Sequence, residues 1–219
     1  MNNLPVNLED LQKAFEELRT VKSLFSSRGW FAGTSGNLSI RVGDIRDGRF
    51  TFAVTASGKD KTVNTPEDFL LVDESGTPAA NTRLKPSAET LIHCEIYRLT
   101  GAGAVFHVHT VFNNLVSELY ASRGSIPVKG VELIKGLNIW EEDAEINIPI
   151  LPNYAEIPRI AALVEGSLVP RIPGIVLRNH GIYAWGANAF EAKRHLEAFE
   201  FLFEYVYRWN VLKNGAADV

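Results

Sequence analysis

The sequence predicts an α/β fold in which helices cover a mixed or largely antiparallel sheet. Two observations lead there. Segments with apolar residues at helical spacing are interspersed with segments whose apolar residues alternate with period two. Several neighbouring strands are joined by short turns instead of the helical crossovers that a doubly wound parallel sheet requires. The 219 residues suit a single domain spanning 1–219, since one core serves chains up to roughly 250 residues.

Taken in order, Leu8, Leu11, Phe15, Leu18, Val21 and Phe25 recur at helical spacing behind Asn7, a good N-cap, and Gly29 ends this first helix. "GNLSIRV" and "FTFAVTASG" alternate as strands around the turn-like "GDIRDG", which predicts a hairpin. "FLLVDESG" is a third strand. Pro86 and Ser87 open a helix over "AETLIHCEIYRLTG", and the strand "AVFHVHT" follows at once. A helix over about Val111 to Ala121, a loop, a short helix at "VELIKGL", the strand "INIPIL" and a helix from about Pro158 to Val169 come next. "GIVLRNHGIYAWG" reads as two strands meeting at an Asn-His-Gly turn. A long final helix carries Phe199, Leu202, Phe203, Val206 and Trp209 on one stripe.

Composition excludes several classes of protein. Apolar residues make up 46% and charged residues 22%, and no apolar run approaches the roughly 18 residues that span a bilayer. No membrane partner is expected. The N-terminal stretch "MNNLPVNLEDLQKAFEELRT" has no basic region followed by an apolar one, so a cytoplasmic location is expected. A net charge of −4 without a basic run argues against nucleic acid. Cys94 is the single cysteine, so any metal must be held by histidines and carboxylates.

Those ligands are available. His107 and His109 stand two apart on a strand, so their imidazoles project from one face. They read either as hydrogen-bonded core histidines or as a metal pair. His180, presented from a tight turn, would complete an open three-imidazole site if the fold brought it near. His93 and His195 lie within predicted helices and read as packed or solvated residues. A nucleotide-binding P-loop is absent, because Asp60 follows Gly58-Lys59 and Ala53 stands at the first glycine position. Three small-residue turns offer another anion cradle: Thr34-Ser35-Gly36-Asn37, Ala56-Ser57-Gly58-Lys59 and Pro86-Ser87-Ala88, with Ser87 expected at a helix N-terminus. "GTSG" is not a Gly-x-Ser-x-Gly nucleophile elbow.

The segments "GTSGNLSIR", "TASGKDK", "KPSAET", "VFHVHT" and "RNHGIYAWG", in this order over nearly the whole chain, resemble the class II aldolase/adducin-type family. The resemblance implies a three-layer α/β/α fold with a central, mostly antiparallel sheet, assembled as a homotetramer. It implies one zinc ion per subunit on His107, His109 and His180, and a sugar phosphate held by Thr34, Ser35, Gly36, Asn37, Ser57, Gly58, Lys59 and Ser87. "KPSAETLIHCEIY", "VELIKGL" and "RNHGIYAWG" are most similar to the family's dehydratase branch, which removes water from a 5-methylthio-pentulose 1-phosphate in methionine salvage. Glu132 matches the catalytic acid/base of that branch, and Glu89 matches the acidic residue beside the zinc of the aldolases. Read without the resemblance, Glu132 is a solvated charge at a helix start and Glu89 a first-turn carboxylate favoured by the helix dipole. A sugar-phosphate aldolase, a 4-epimerase and a non-catalytic interaction module are the rival readings. Phe31, Phe112 and Trp140 are candidates for an apolar pocket, or ordinary core.

Overall fold

A computed structural model describes residues 6–215. The first five residues of the stretch inspected for an export signal, and the last four of the expected 1–219 domain, lie outside the described residues. Helix α1 (Leu8–Ser27) is capped as its sequence predicts, with the Asn7 side chain accepting from the Glu9 amide at 2.9 Å. Strands β1 (Asn37–Arg46) and β2 (Arg49–Thr55) form the predicted hairpin, and β3 (Phe69–Asp73) adds to it. The hairpin turn is tighter than "GDIRDG" suggests. Only Asp47 and Gly48 leave the strands, both at positive φ (51° and 76°), which a two-residue hairpin turn requires and an Asp-Gly pair tolerates.

Helix α2 (Thr90–Thr100) ends at Gly101 in the left-handed conformation and feeds β4 (Ala104–Val108), followed by α3 (Val111–Leu119). The stretch expected as a loop contains β5 (Ser125–Lys129), paired with β6 (Glu145–Leu151). Its proline, Pro127, weakens the strand signal, and an edge position is where a missing ladder donor is tolerated. Between them, Glu132–Leu137 is a 3₁₀ helix. Helix α4 (Ile157–Ser167), strands β7 (Gly174–Leu177) and β8 (Gly181–Gly186), and helix α5 (Ala189–Gly215) complete the chain.

The strands form one mixed sheet of order β3-β2-β1-β4-β8-β7-β6-β5, antiparallel throughout except between β6 and β7. Alternation divides its side chains between two apolar layers. Leu38, Phe106, Val176 and Ile182 face α1, α3 and α5, whereas Phe52, Val105, Ile175 and Tyr183 face α2 and α4. On α5, Phe199, Leu202, Phe203 and Val206 are buried as the stripe predicts, but Trp209 is 46% exposed. No helix among the described residues is long and apolar enough to cross a membrane.

Candidate metal and substrate site

Strand β4 sits in the middle of the sheet and sends Ala104, Phe106 and Val108 to the α5 side. By alternation His107 points the other way, fully buried, with its ring stacked on Tyr183 of β8 at 3.9 Å between centroids. Its Nδ1–H donates to the Ile182 carbonyl at 2.9 Å, which turns Nε2 toward the neighbouring side chains. His109 continues the same face one step beyond the strand. Its backbone is fixed on both sides: its amide bonds to the Trp30 carbonyl, and the next residue, Thr110, caps α3 in a reciprocal box with Asn113. Glu200, buried on α5, accepts from Thr110 Oγ1 at 2.6 Å and Asn113 Nδ2 at 2.8 Å, and so locks that corner from behind.

His180 comes from the β7–β8 turn, where Asn179 takes positive φ (51°). Its Nδ1–H donates to Asn153 Oδ1 at 3.0 Å, and again Nε2 is the nitrogen left over. Asn114 ties the two histidine-bearing loops together, donating to the carbonyls of Thr110 (2.9 Å) and His180 (3.0 Å).

The structure brings these three imidazoles together with Glu89. One ligand atom from each of the four residues lies within 4.8 Å of all the others. His109 Nε2 is 2.9 Å from His107 Nε2, and the Glu89 carboxylate reaches His107 Nε2 (3.2 Å) with one oxygen and His180 Nε2 (2.9 Å) with the other. Burial works against the Glu89 charge, but the charge and hydrogen bond of His107, then those of His180, outweigh it and hold the carboxyl far below its usual range. Burial first, and the neighbouring histidines second, push His109 down to about 3, so that ring is neutral. Three imidazole nitrogens aimed at a common point beside a carboxylate, once their protons are displaced, are the donor set of a divalent-ion site, and these residues could hold one.

A buried chain of hydrogen bonds stands behind Glu89. Asn37 Nδ2 donates to Glu89 Oε2 at 2.6 Å, and Asn37 Oδ1 accepts from His93 Nε2. His93 Nδ1 accepts from Ser39 Oγ at 2.7 Å, and Ser39 Oγ accepts from Tyr97 Oη at 2.7 Å. Every donor finds an acceptor in only this order, because Glu89 is ionised and can accept but not donate. His93, packed at the sequence level, thus reaches Glu89 through Asn37. The partners lie on two segments, Asn37 and Ser39 at strand spacing on β1 and Glu89, His93 and Tyr97 at helical spacing from the cap of α2, and local spacing shows each shared face but not that the two faces meet.

The three anion turns adjoin one another. Ala56 bridges Pro86, and Lys61 Nζ donates to the Thr34 carbonyl at 2.6 Å. Gly36 has φ of 74°, and a Cβ there would stand 2.7 Å from the His107 carbonyl oxygen, so this turn presses directly on the histidine strand. Thr34 is exposed and Ser35 is half-buried. The amides of Ser57 and Ser87 are already bonded to the carbonyls of Lys85 and Thr55, which leaves their hydroxyls as free donors. Ser57 and Gly58 are exposed, while Lys59 is ion-paired with Glu67 at 2.7 Å. Asn37 is committed to Glu89 and His93. Ser87 precedes α2 by three residues, because the helix begins at Thr90 and Glu89 is its N-cap.

Glu132 is not among the groups brought together. It begins the 3₁₀ helix with its side chain 83% exposed, 2.8 Å from Lys135, and its neighbours Ile134 and Leu137 pack in the layer on the α5 side, across the sheet from His107. Phe31 is buried and forms a bridge to His109, Phe112 packs on Tyr207 of α5, and Trp140 is 67% exposed.

Residues 16–207 match the model of the class II aldolase and adducin N-terminal domain. The chain belongs to this family. Among class II aldolase relatives it is 53% identical over 206 residues to the methylthioribulose-1-phosphate dehydratase of Geobacillus sp. (strain WCH70), covering 94% of this chain and 95% of that one. The enzymes of the same name from Persephonella marina (49% over 211 residues, 96% of each chain) and Bacillus subtilis (52% over 204 residues, 93% of this chain and 96% of that one) are similar throughout. The fold is that of solved class II aldolase structures. YgbL of Escherichia coli superposes with a TM-score of 0.73 at 25% identity over 90% of this chain and 89% of its own. The L-fuculose-1-phosphate aldolase of Thermus thermophilus superposes with 0.69 at 23% identity, covering 93% of this chain and 98% of that one.

Proposed function

We propose that this single-domain chain catalyses the dehydration of 5-methylthio-D-ribulose 1-phosphate to 5-methylthio-2,3-dioxopentyl phosphate in methionine salvage, as a cytoplasmic homotetramer. What carries the reading is the likeness to dehydratases of that substrate at 49–53% identity over more than nine-tenths of each chain. His107, His109 and His180, with Glu89 beside them, would hold one divalent ion, proposed as zinc from the imidazole-rich donor set. Such an ion polarises a substrate carbonyl and makes the neighbouring C–H more acidic.

The remaining chemistry falls to carboxylates. Glu132 takes the C3 proton and returns it to the departing C4 hydroxyl, so that water leaves and the enol becomes the diketone. Its exposure and its position across the sheet favour delivery to the cluster of a neighbouring copy. The exposed stripe of Phe201, Tyr205, Trp209 and Leu212 on α5 is suited to bury itself in such an assembly. Thr34, Ser35, Gly36, Ser57, Gly58 and Ser87 would surround the phosphate, with Asn37 acting through Glu89.

The second reading is an aldolase cleaving C3–C4 of a sugar phosphate, and Glu89 favours it, because that carboxylate already lies among the histidines. Chelation tests the metal-dependent reading. Metal-stripped protein should lose turnover of 5-methylthioribulose 1-phosphate and regain it with one zinc per subunit, whereas turnover indifferent to chelation would overturn it. Glu132→Gln should keep its metal and lose turnover by about 100-fold or more. Mixing it with His109→Ala should restore part of the activity if sites are shared between copies.

A further inference from the structure

Two buried lysines are tied to the loop between β2 and β3, Lys22 reaching it from α1 and Lys61 lying within it, and they differ in one respect. Lys22 is 2% exposed and meets Asp68 at 2.5 Å, an ion pair that pins the loop to α1. Lys61, 8% exposed, has no carboxylate in contact among the described residues. One of its three N–H groups donates to the Thr34 carbonyl, and its ammonium stands 5.9 Å from the centre of the Phe31 ring. Burial, followed by the charge of Lys22, disfavours this ammonium, and the charge of Glu89 offsets the loss only in part. A buried cation left with spare donors is costly unless something anionic completes it.

A second group is left over one peptide away. Ser35 Oγ is buried and has no hydrogen-bond partner among the described residues. The turn that carries it presses on the His107 carbonyl through Gly36. A tetrahedral oxyanion at this turn would satisfy the ammonium and the hydroxyl together, and would lie beside the imidazole cluster.

We propose that Lys61 and the Ser35 hydroxyl grip the phosphate of the substrate, and that Lys61 supplies the cation expected from Lys59. This inference rests on the sugar-phosphate reading above. Lys59 is paired with Glu67, whereas Lys61 reaches the Thr34 turn with N–H groups to spare and no carboxylate in contact among the described residues. The grip makes phosphorylation a condition of binding, since an unphosphorylated sugar would leave the cation unpaired.

The test uses metal-loaded protein with labelled lysine, with the Lys61 side-chain signal assigned through Lys61→Arg and followed by NMR as inorganic phosphate is added. A saturable shift of that signal is expected. Lys61→Met, which keeps most of the stem, should raise KM for 5-methylthioribulose 1-phosphate by about 10- to 100-fold, with a smaller change in kcat and an unchanged metal content. It should also abolish competitive inhibition by phosphate, and Ser35→Ala should weaken that inhibition less. An unmoved Lys61 signal in the wild-type protein, or undiminished phosphate inhibition of Lys61→Met, overturns the proposal. The titration needs no turnover, so the two readings fail separately. A Lys61 shift in a protein that leaves the methylthio substrate untouched supports the grip and sinks the dehydratase, and dehydration with an unmoved Lys61 does the reverse.

Discussion

Asn37 joins the site to the core. One end of its amide holds Glu89 and the other accepts from His93, so the ionised carboxylate is kept turned toward the histidines by a side chain that is itself buried. Replacing Asn37 by Ala removes a donor and an acceptor at once and leaves His93 and Glu89 each short of a partner. The expected cost is about 1–3 kcal/mol of stability, measured by urea unfolding. Metal affinity should fall on the order of 10–100-fold, measured by competition with a chelator. Wild-type affinity in that variant would contradict the positioning role. The sequence places Asn37 in a small-residue turn and suggests phosphate, because its real partners stand 52 and 56 positions away. Local spacing reveals that His107 and His109 share a face, since period two is a property of the strand itself. It cannot reveal that Glu89 and His180 arrive at the same point, and for those the resemblance is the only sequence signal.

At the scale of the element, the close approach of β8 to the histidine strand shapes the site. Gly181 opens β8, and a Cβ there would collide with the Val108 carbonyl oxygen and stand 2.8 Å from both His107 Cε1 and His109 Cδ2. Gly181→Ala must therefore displace the backbone and, with it, two of the imidazoles. It should cost metal binding far more than stability, and calorimetric titration with zinc beside thermal unfolding would separate the two losses. Full zinc occupancy with an unchanged melting point would mean that the strands part easily and the site tolerates it. Most elements are legible in the sequence because caps and turns mark them: Asn7 for α1, Asp47-Gly48 for the first hairpin, Gly101 for α2. β5 is hidden by Pro127 and by its edge position, where half of its backbone needs no partner. The start of α2 is misplaced by the Pro-Ser signal, since the Ser87 carbonyl makes a turn with Thr90 before the helix begins.

For the whole molecule, two buried groups pull stability in opposite directions with pH. His93 is pushed down to about 3 by burial first and by the charge of His107 second. The unfolded chain protonates it below its ordinary 6.5, so its contribution is complete above that value and is lost as pH falls toward 3. Glu200, raised to about 7 by burial, binds a proton when folded that the unfolded chain has already released. Its contribution is present below the ordinary carboxyl range and is lost as pH rises to 7. Glu200→Gln cannot ionise, and its stability relative to the wild type should rise by on the order of 2–3 kcal/mol between about pH 5 and 8. Urea unfolding at the two pH values measures this, and a constant difference would contradict it. The mixed sheet between helices is legible from the short turns between strands, while the proposed assembly is not, because a stripe of side chains such as Tyr205 and Trp209, left exposed among the described residues, does not name what covers it. The most direct measurement is NMR analysis of products after zinc-loaded protein meets 5-methylthioribulose 1-phosphate and, separately, fuculose 1-phosphate. The diketone phosphate from the first and no reaction with the second is the predicted result. Cleavage of the second to dihydroxyacetone phosphate and lactaldehyde, with the first untouched, would contradict dehydration and make Glu89 the base of an aldolase.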